Sequence, residues 1–154
     1  MDVREIMTKN PFRIDQDAPI GTAISTMVEQ KVRHLPVVDD AGAVVGIITD
    51  RDLRSAALAP ALEEYLSEGA RRRLRRIGAT LEDLRVKDAM TCNPITTKPD
   101  IPVTQAAALM LEQHVGSLPV LENGKLVGIV TDRDTVKAIA RQVPALTYVA
   151  EALS

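Results

Sequence analysis

The chain has 154 residues, 45% of them hydrophobic but only 2% aromatic, with 26% charged and a formal net charge of −2. That length makes one ordinary domain or two very small ones, and the core has to be aliphatic. The near-neutral balance gives no overall attraction to nucleic acid or to a membrane surface, no apolar run approaches the roughly 18 residues that span a bilayer, and the charged start Met1-Asp2-Val3-Arg4-Glu5 lacks a signal peptide's apolar segment.

In chain order, residues 3–7 read as a short helical turn that Thr8-Lys9-Asn10-Pro11 breaks. Phe12-Arg13-Ile14 reads as a brief extended piece. Asp17-Ala18-Pro19 opens a helix, with Pro19 tolerated in its first turn. Ile20, Ala23, Ile24, Met27 and Val28 then fall on one face at helical spacing. Leu35-Pro36-Val37-Val38 reads as a strand whose proline belongs at its first residue or on an edge. Asp39-Asp40-Ala41-Gly42 is a turn, residues 44–49 are the second strand of a hairpin, and residues 50–59 are helical.

The pattern then returns. Val86, Met90, Thr91, Asn93, Pro94, Asp100 and Pro102 stand where Val3, Met7, Thr8, Asn10, Pro11, Asp17 and Pro19 stood. Val103, Ala106, Ala107, Met110 and Leu111 repeat the helix face. Leu118-Pro119-Val120 repeats the strand, and the turn Glu122-Asn123-Gly124 is one residue shorter. Two such units are a duplication. Each is too small for an adequate core alone, so they are expected to pack face to face. The divisions expected are repeat 1 at 1–59, a linker at 60–85, repeat 2 at 86–142 and a tail at 143–154.

The most informative stretch is Gly46-Ile47-Ile48-Thr49-Asp50-Arg51-Asp52, which recurs as Gly128-Ile129-Val130-Thr131-Asp132-Arg133-Asp134. A buried strand runs into a helix, with Thr at the junction and Asp three places on. Two meanings are open. In a capping box, the hydroxyl accepts from an early helix N–H and the acid reaches back. In a ligand grip, hydroxyl and carboxylate sit where helix N–H groups already favour an anion.

In the linker, Leu62, Tyr65, Leu66, Ala70, Leu74 and Ile77 form a helical stripe that Gly78 ends, and Thr80 caps a further turn. Early Glu63, Glu64 and Glu68 and late Arg71, Arg72, Arg73, Arg75 and Arg76 suit the helix dipole and allow a Glu68–Arg72 pair. The arginine run reads as a solvated helix end rather than a nucleic-acid grip, given the acidic whole chain. In the tail, Leu146, Val149, Ala150 and Leu153 make a weak apolar stripe. Cys92 is the sole cysteine and has no internal partner, and the chain is expected to be cytoplasmic.

Two copies of Met-Thr-x-Asn-Pro, a helix, Leu-Pro-Val, a Gly-containing turn and Gly-Ile-(Ile/Val)-Thr-Asp-Arg-Asp resemble a tandem pair of CBS domains, a Bateman module. The resemblance covers nearly the whole chain. The bare pair with a helical linker is similar to stand-alone CBS proteins such as the acetoin-utilisation accessory proteins. The resemblance implies an α/β (α+β) fold of two β-α-β-β-α repeats packed about a pseudo-twofold axis. It also implies a regulatory module that binds an adenosine-containing ligand, AMP, ADP, ATP or S-adenosylmethionine, in clefts between the repeats.

By that resemblance Asp52 and Asp134 accept from ribose hydroxyls, and Thr49 and Thr131 bond near the ribose or phosphate. Asn10-Pro11-Phe12 and Asn93-Pro94-Ile95 frame the adenine. Arg51 and Arg133, at the helix starts, suit phosphate. The residues before Leu-Pro-Val approach phosphates in this family, and here the copies differ: Arg33-His34 against Gly116-Ser117. A homodimer and a regulated partner protein are also implied.

Enzyme readings are weak. His34 and His114 sit in no ligand-spaced cluster with Cys, so no metal site is expected. No Gly-x-Ser-x-Gly nucleophile motif occurs. The pairs Asp50/Asp52 and Asp132/Asp134 read as helix N-terminal acids. The alternative to a ligand sensor is a structural dimerisation module with no ligand.

Overall fold

The computed structural model describes residues 1–62 and 84–142, with side chains described for residues 1–56 and 84–142. The linker stripe beyond Leu62, the run from Arg71 to Arg76, the Thr80 cap and the tail stripe lie outside the described residues. The first half holds α1 (Val3–Ile6), β1 (Thr8–Lys9), β2 (Ile14–Asp15), α2 (Ile20–Gln30), β3 (His34–Val38), β4 (Val44–Thr49) and α3 (Asp50–Leu62). The second holds α4 (Val86–Ala89), β5 (Thr91–Cys92), α5 (Val103–Gln113), β6 (Ser117–Glu122), β7 (Lys125–Thr131) and α6 (Asp132–Gln142). The fold is mixed α/β, as its periodicities require.

Local chemistry sets most of the boundaries. Pro19 and Pro102 have ψ of 145° and 142°, so they cap α2 and α5 from outside instead of sitting in the first turn. Both helices end on a left-handed residue, Lys31 and His114, each at φ 54°. The β6–β7 connection is Asn123-Gly124, with φ of 52° and 76°. Two consecutive positive φ values make a type I′ turn, whose twist matches an antiparallel hairpin. The longer β3–β4 turn uses Asp39, whose Oδ1 accepts from the N–H groups of Ala41 and Ala43 at 3.0 and 2.9 Å.

The apolar face of α2 is narrower than its spacing implies. Ile20, Ala23 and Met27 are buried, but Val28 is 72% exposed and Ile24 is 37% exposed. In α5, Val103, Ala106 and Met110 are buried, while Leu111 is 77% exposed. Ile24, Val28 and Leu111 lie about a further 100° around their helices and point past the sheet. Pro36 is neither first in β3 nor on an edge. It is fully buried opposite Ile47, one residue before the parallel pairing of β2 with β3 begins at Ile14–Val37. The missing N–H therefore interrupts no rung of that pairing.

The described residues form two compact units, and each takes its opening segment from the other sequence repeat. One unit holds Met1–Asn10, Ile95–Asn123 and residues 127–142. Its sheet runs β1-β7-β6, with Thr8 opposite Ile129 and Lys9 opposite Gly128. Val3, fully buried, joins Ala106, Met110, Leu118, Val120 and Val130 in the core. The N–H groups of Val3 and Arg4 donate to Ile101 O and Pro99 O, both at 2.9 Å. Arg4 Nη2 also reaches Asp100 Oδ1 at 2.9 Å, and it pairs with Glu122.

The other unit holds residues 11–62, 84–94 and Gly124–Leu126. Its sheet runs β2-β3-β4-β5, with β5 antiparallel to β4, Thr91 opposite Ile47 and Cys92 opposite Gly46. Val86, fully buried, joins Ile14, Ile20, Ala23, Met27, Leu35, Val37, Ile48 and Leu53. Lys87 Nζ reaches Asp17 Oδ1 at 2.7 Å, the counterpart of Arg4 on Asp100. Burying a valine of this kind contributes on the order of 1.5–3 kcal/mol, so each short opening segment is part of its unit's core.

Candidate functional site

The candidate site is built on the corner where the last strand of each hairpin enters a helix. In the unit containing β4 and α3, Thr49 ends the strand and Asp52 lies in the first turn. The Thr49 N–H and hydroxyl both donate to Asp52 Oδ2, at 2.8 and 3.0 Å. In return the Asp52 N–H donates to Thr49 Oγ1 at 3.2 Å. This is the reciprocal capping box, so the structural meaning of the motif holds. It engages only one carboxylate oxygen: Asp52 Oδ1 accepts no hydrogen bond among the described residues. Both residues are half-buried.

The other unit repeats the corner. Thr131 N–H and Oγ1 donate to Asp134 Oδ2 at 2.9 and 2.8 Å, and Asp134 N–H donates to Thr131 Oγ1 at 3.2 Å. Again Oδ1 stays without a partner among the described residues. The backbone tie before each helix is also common. Asp50 N–H donates to Arg33 O at 3.0 Å, and Asp132 N–H donates to Gly116 O at 2.9 Å.

The two corners differ in charge. Arg33 Nε and Nη2 both donate to Asp50 Oδ2, at 3.2 and 3.1 Å, and Arg54 Nη2 lies 3.4 Å from the same oxygen. Burial pushes the Asp50 carboxyl up, but the Arg33 hydrogen bonds and charge, with Arg54, outweigh it and hold the group below the usual aspartate value. At the second corner Gly116 and Val136 stand in place of Arg33 and Arg54. Among the described residues, the Asp132 carboxylate there accepts only from the N–H of Arg133, at 2.6 Å. The acid pairs thus serve different partners: Asp50 takes arginines, and Asp52 takes Thr49.

The remaining expected residues fall as follows. His34 opens β3 directly opposite Thr49 and is half-buried. Ser117, its counterpart, opens β6 and is buried. Arg51 and Arg133 are exposed at the first turns of α3 and α6. Asn10 and Asn93 adopt left-handed φ of 47° and 48°, a conformation Asn tolerates well. Their N–H groups donate to Val127 O and Val45 O, both at 3.2 Å. Asn10 belongs to the unit of Thr131 and Asp134, as does Ile95; Pro11, Phe12, Asn93 and Pro94 belong to the unit of Thr49 and Asp52. Within each unit, Thr, Asp and the residue opening the hairpin come together. Among the described residues, the backbone N–H groups of Asn10 and Asn93 bond to strand carbonyls and not to Thr49, Asp52, Thr131 or Asp134. Phe12 is 51% exposed, a position no core role explains.

Spacing did not reveal Arg33 and Arg54 as joint partners of Asp50. Arg33 and Asp50 lie 17 residues apart and meet only because the hairpin folds back. The one legible signal was the i,i+4 spacing of Asp50 and Arg54. Among the described residues, the acidic groups of Asp15, Asp17 and Asp40 lie close enough to hold a cation. Lys87 already sits on Asp17, and that hydrogen bond and charge hold the ammonium above its usual value.

The family model described as the CBS domain matches residues 3–59 and 86–141. A CBS domain-containing protein of Dictyostelium discoideum is 36% identical over 140 residues, covering 90% of this chain and 91% of that protein. A homoserine O-acetyltransferase of Methanococcoides burtonii is 30% identical over 138 residues, which is 89% of this chain but 24% of that enzyme. Among solved structures, CBSX2 in complex with AMP superimposes with a TM-score of 0.73 at 29% identity, over 91% of this chain and 96% of that one. The CBS domain pair of protein MJ0100, in complex with 5′-methylthioadenosine and S-adenosyl-L-methionine, gives 0.75 at 26% identity, over 93% and 98%.

Proposed function

The chain belongs to the CBS-domain family as a tandem pair, and from that premise we propose that it is a non-catalytic regulatory module whose twin corners hold an adenosine-containing ligand. The observation that carries this reading is the Oδ1 of Asp52 and of Asp134, unengaged among the described residues and beside a threonine hydroxyl. A carboxylate oxygen fixed in this way accepts from vicinal ribose hydroxyls, while its sister oxygen keeps the helix capped. The ligands named for the two solved neighbours, AMP, 5′-methylthioadenosine and S-adenosyl-L-methionine, have adenosine in common. AMP, ADP, ATP and S-adenosylmethionine are therefore the ligands to test.

In this reading Thr49, Asp52, Thr131 and Asp134 hold the ribose. Asn10, Pro11, Phe12, Asn93, Pro94 and Ile95 frame the base. Arg33, His34, Arg51, Arg133 and Ser117 lie toward the phosphate or its substitute. Regulation needs no catalysis: a ligand at a hundred times its Kd stabilises the bound form by about 2.7 kcal/mol, enough to bias an attached partner. We place the protein in the cytoplasm; no described helix is long and apolar enough to cross a membrane.

Thermal unfolding against the four ligands tests the reading directly. A rise in midpoint with one of them supports it, and calorimetry on Asp52→Asn and Asp134→Asn then locates the grip. Losing the charged acceptor should cost about 1–3 kcal/mol of binding. Unchanged affinity in both variants would leave the capping box as the whole role of these acids.

A second reading has its own observation. Val28, Leu111 and Val136 are 72%, 77% and 64% exposed on helices. A structural dimerisation module would bury such residues against a second copy and take no ligand. A homodimer that is silent to all four ligands would favour it.

A further inference from the structure

We propose that Asp50 is a specificity determinant of the first corner: it occupies the phosphate-facing edge of Arg33, so that a phosphorylated ligand must displace it while an uncharged adenosine need not. The inference deepens the adenosine-ligand reading above and rests on it. Its basis is the convergence of two guanidinium groups on one oxygen. Arg33 presents Nε and Nη2, the edge that grips a phosphate through two parallel bonds, and both donate to Asp50 Oδ2 at 3.2 and 3.1 Å. Arg54 approaches the same atom at 3.4 Å. The arrangement is an anion site filled by the chain's own carboxylate.

Asp50 cannot move far from this role, because its N–H is tied to Arg33 O at 3.0 Å. The side chains can. Arg33 is 70% exposed, Arg54 66% and Asp50 33%, so the pair opens toward solvent without disturbing the core. An incoming phosphate brings more charge and more acceptor oxygens than a carboxylate and can take over both arginines. Asp50 then lies beside a second anion, and that repulsion sets the threshold.

The second corner shows the contrast. It has the same backbone tie, at 2.9 Å, and the same acid, Asp132, but Gly116 and Val136 replace the arginines. Asp132 lacks the two guanidinium groups that offset Asp50, so this corner favours phosphate less than the first does, although Arg133 stands at its helix start. The two corners therefore divide ligands by charge, and Asp50 tunes how sharply the first one does so.

Calorimetry of the full chain with AMP and with adenosine tests this in wild type, Asp50→Asn, Arg33→Ala and the double variant. Asp50→Asn should raise the AMP-to-adenosine affinity ratio by about two- to fivefold, the size expected for freeing a partly exposed ion pair. Arg33→Ala should lower the ratio, and adding Asp50→Asn to it should restore nothing. A ratio unchanged or lowered by Asp50→Asn overturns the proposal. If Asp50→Asn fails to fold, Asp50→Ser, which also removes the charge and leaves the Thr49–Asp52 capping box in place, carries the same expectation. If neither AMP nor adenosine binds the wild type, the functional reading fails, and inorganic phosphate becomes the probe. A phosphate-induced rise in unfolding temperature that grows in Asp50→Asn and vanishes in Arg33→Ala upholds the guard. Equal shifts in all variants, zero included, overturn it.

Discussion

Single atoms decide what several residues of the repeated motif do. A Cβ built at Gly46 would lie 2.5 Å from Met90 Sδ and 2.9 Å from Thr91 O; at Gly128 it would lie 2.5 Å from Met7 Sδ and 3.1 Å from Thr8 O. The methionine sulfurs can shift, but the carbonyls belong to paired strands. Gly46→Ala is therefore expected to destabilise by about 1–3 kcal/mol in urea unfolding, as overpacking does. Asp50 gives a pH signature of its own. Its folded value lies below its unfolded one, so its contribution is present above the ordinary aspartate range and fades as pH falls through the lower folded value. Acid titration of unfolding should show wild type losing stability there more steeply than Asp50→Asn. Parallel curves would mean that the Arg33 and Arg54 pairs add nothing.

At the scale of elements, the telling feature is the reciprocal loan of α1-β1 and α4-β5. Val3 lies in the core with Leu118 and Val130, and Val86 lies in the core with Leu35 and Ile48. Each core therefore depends on a residue from the opposite sequence repeat. Val86→Ala should lower amide-exchange protection in β3 and β4, outside its own repeat, and Val3→Ala should do so in β6 and β7. A cost of roughly 1–3 kcal/mol is expected for each truncated valine. Protection lost only within the mutated residue's own repeat would contradict the pairing of β1 with β7 and of β5 with β4. The paired strands also explain the left-handed Asn10 and Asn93, which turn the chain immediately after each loaned strand.

For the whole molecule, charge and exposed apolar surface are the quantities that matter. A net charge of −2 offers no field for nucleic acid. Oligonucleotide binding is expected to be absent, or at most weak and without a steep salt slope. Exposed Val28, Leu111 and Val136 agree with the proposed homodimer. Light scattering at micromolar concentration should return twice the 16.7 kDa chain mass, and a monomer would remove dimerisation from the account.

The sequence by itself determined the duplication, because its motifs recur in the same order, and it determined the main helices, hairpins and capping chemistry, because these depend on spacing within a dozen residues; the two-residue strands Thr8–Lys9 and Thr91–Cys92 carried no such signal. The Thr-to-Asp spacing offered the capping box as one of two meanings, and its reciprocal hydrogen bonds are seen at both corners; Asn123-Gly124 marked a turn that proves to be a two-residue hairpin connection. Family membership was legible for the same reason: the motifs recur in order. Only the tertiary structure decided which helix residues are core, leaving Val28 and Leu111 outside a face that periodicity had drawn too wide. Only it showed that residues 3–10 and 86–94 complete the opposite unit's sheet, and that Arg33 is held by Asp50. These facts rest on contacts between residues 17 to nearly 120 positions apart. No local pattern encodes such contacts; the chain acquires them when strands pair and bury their aliphatic faces.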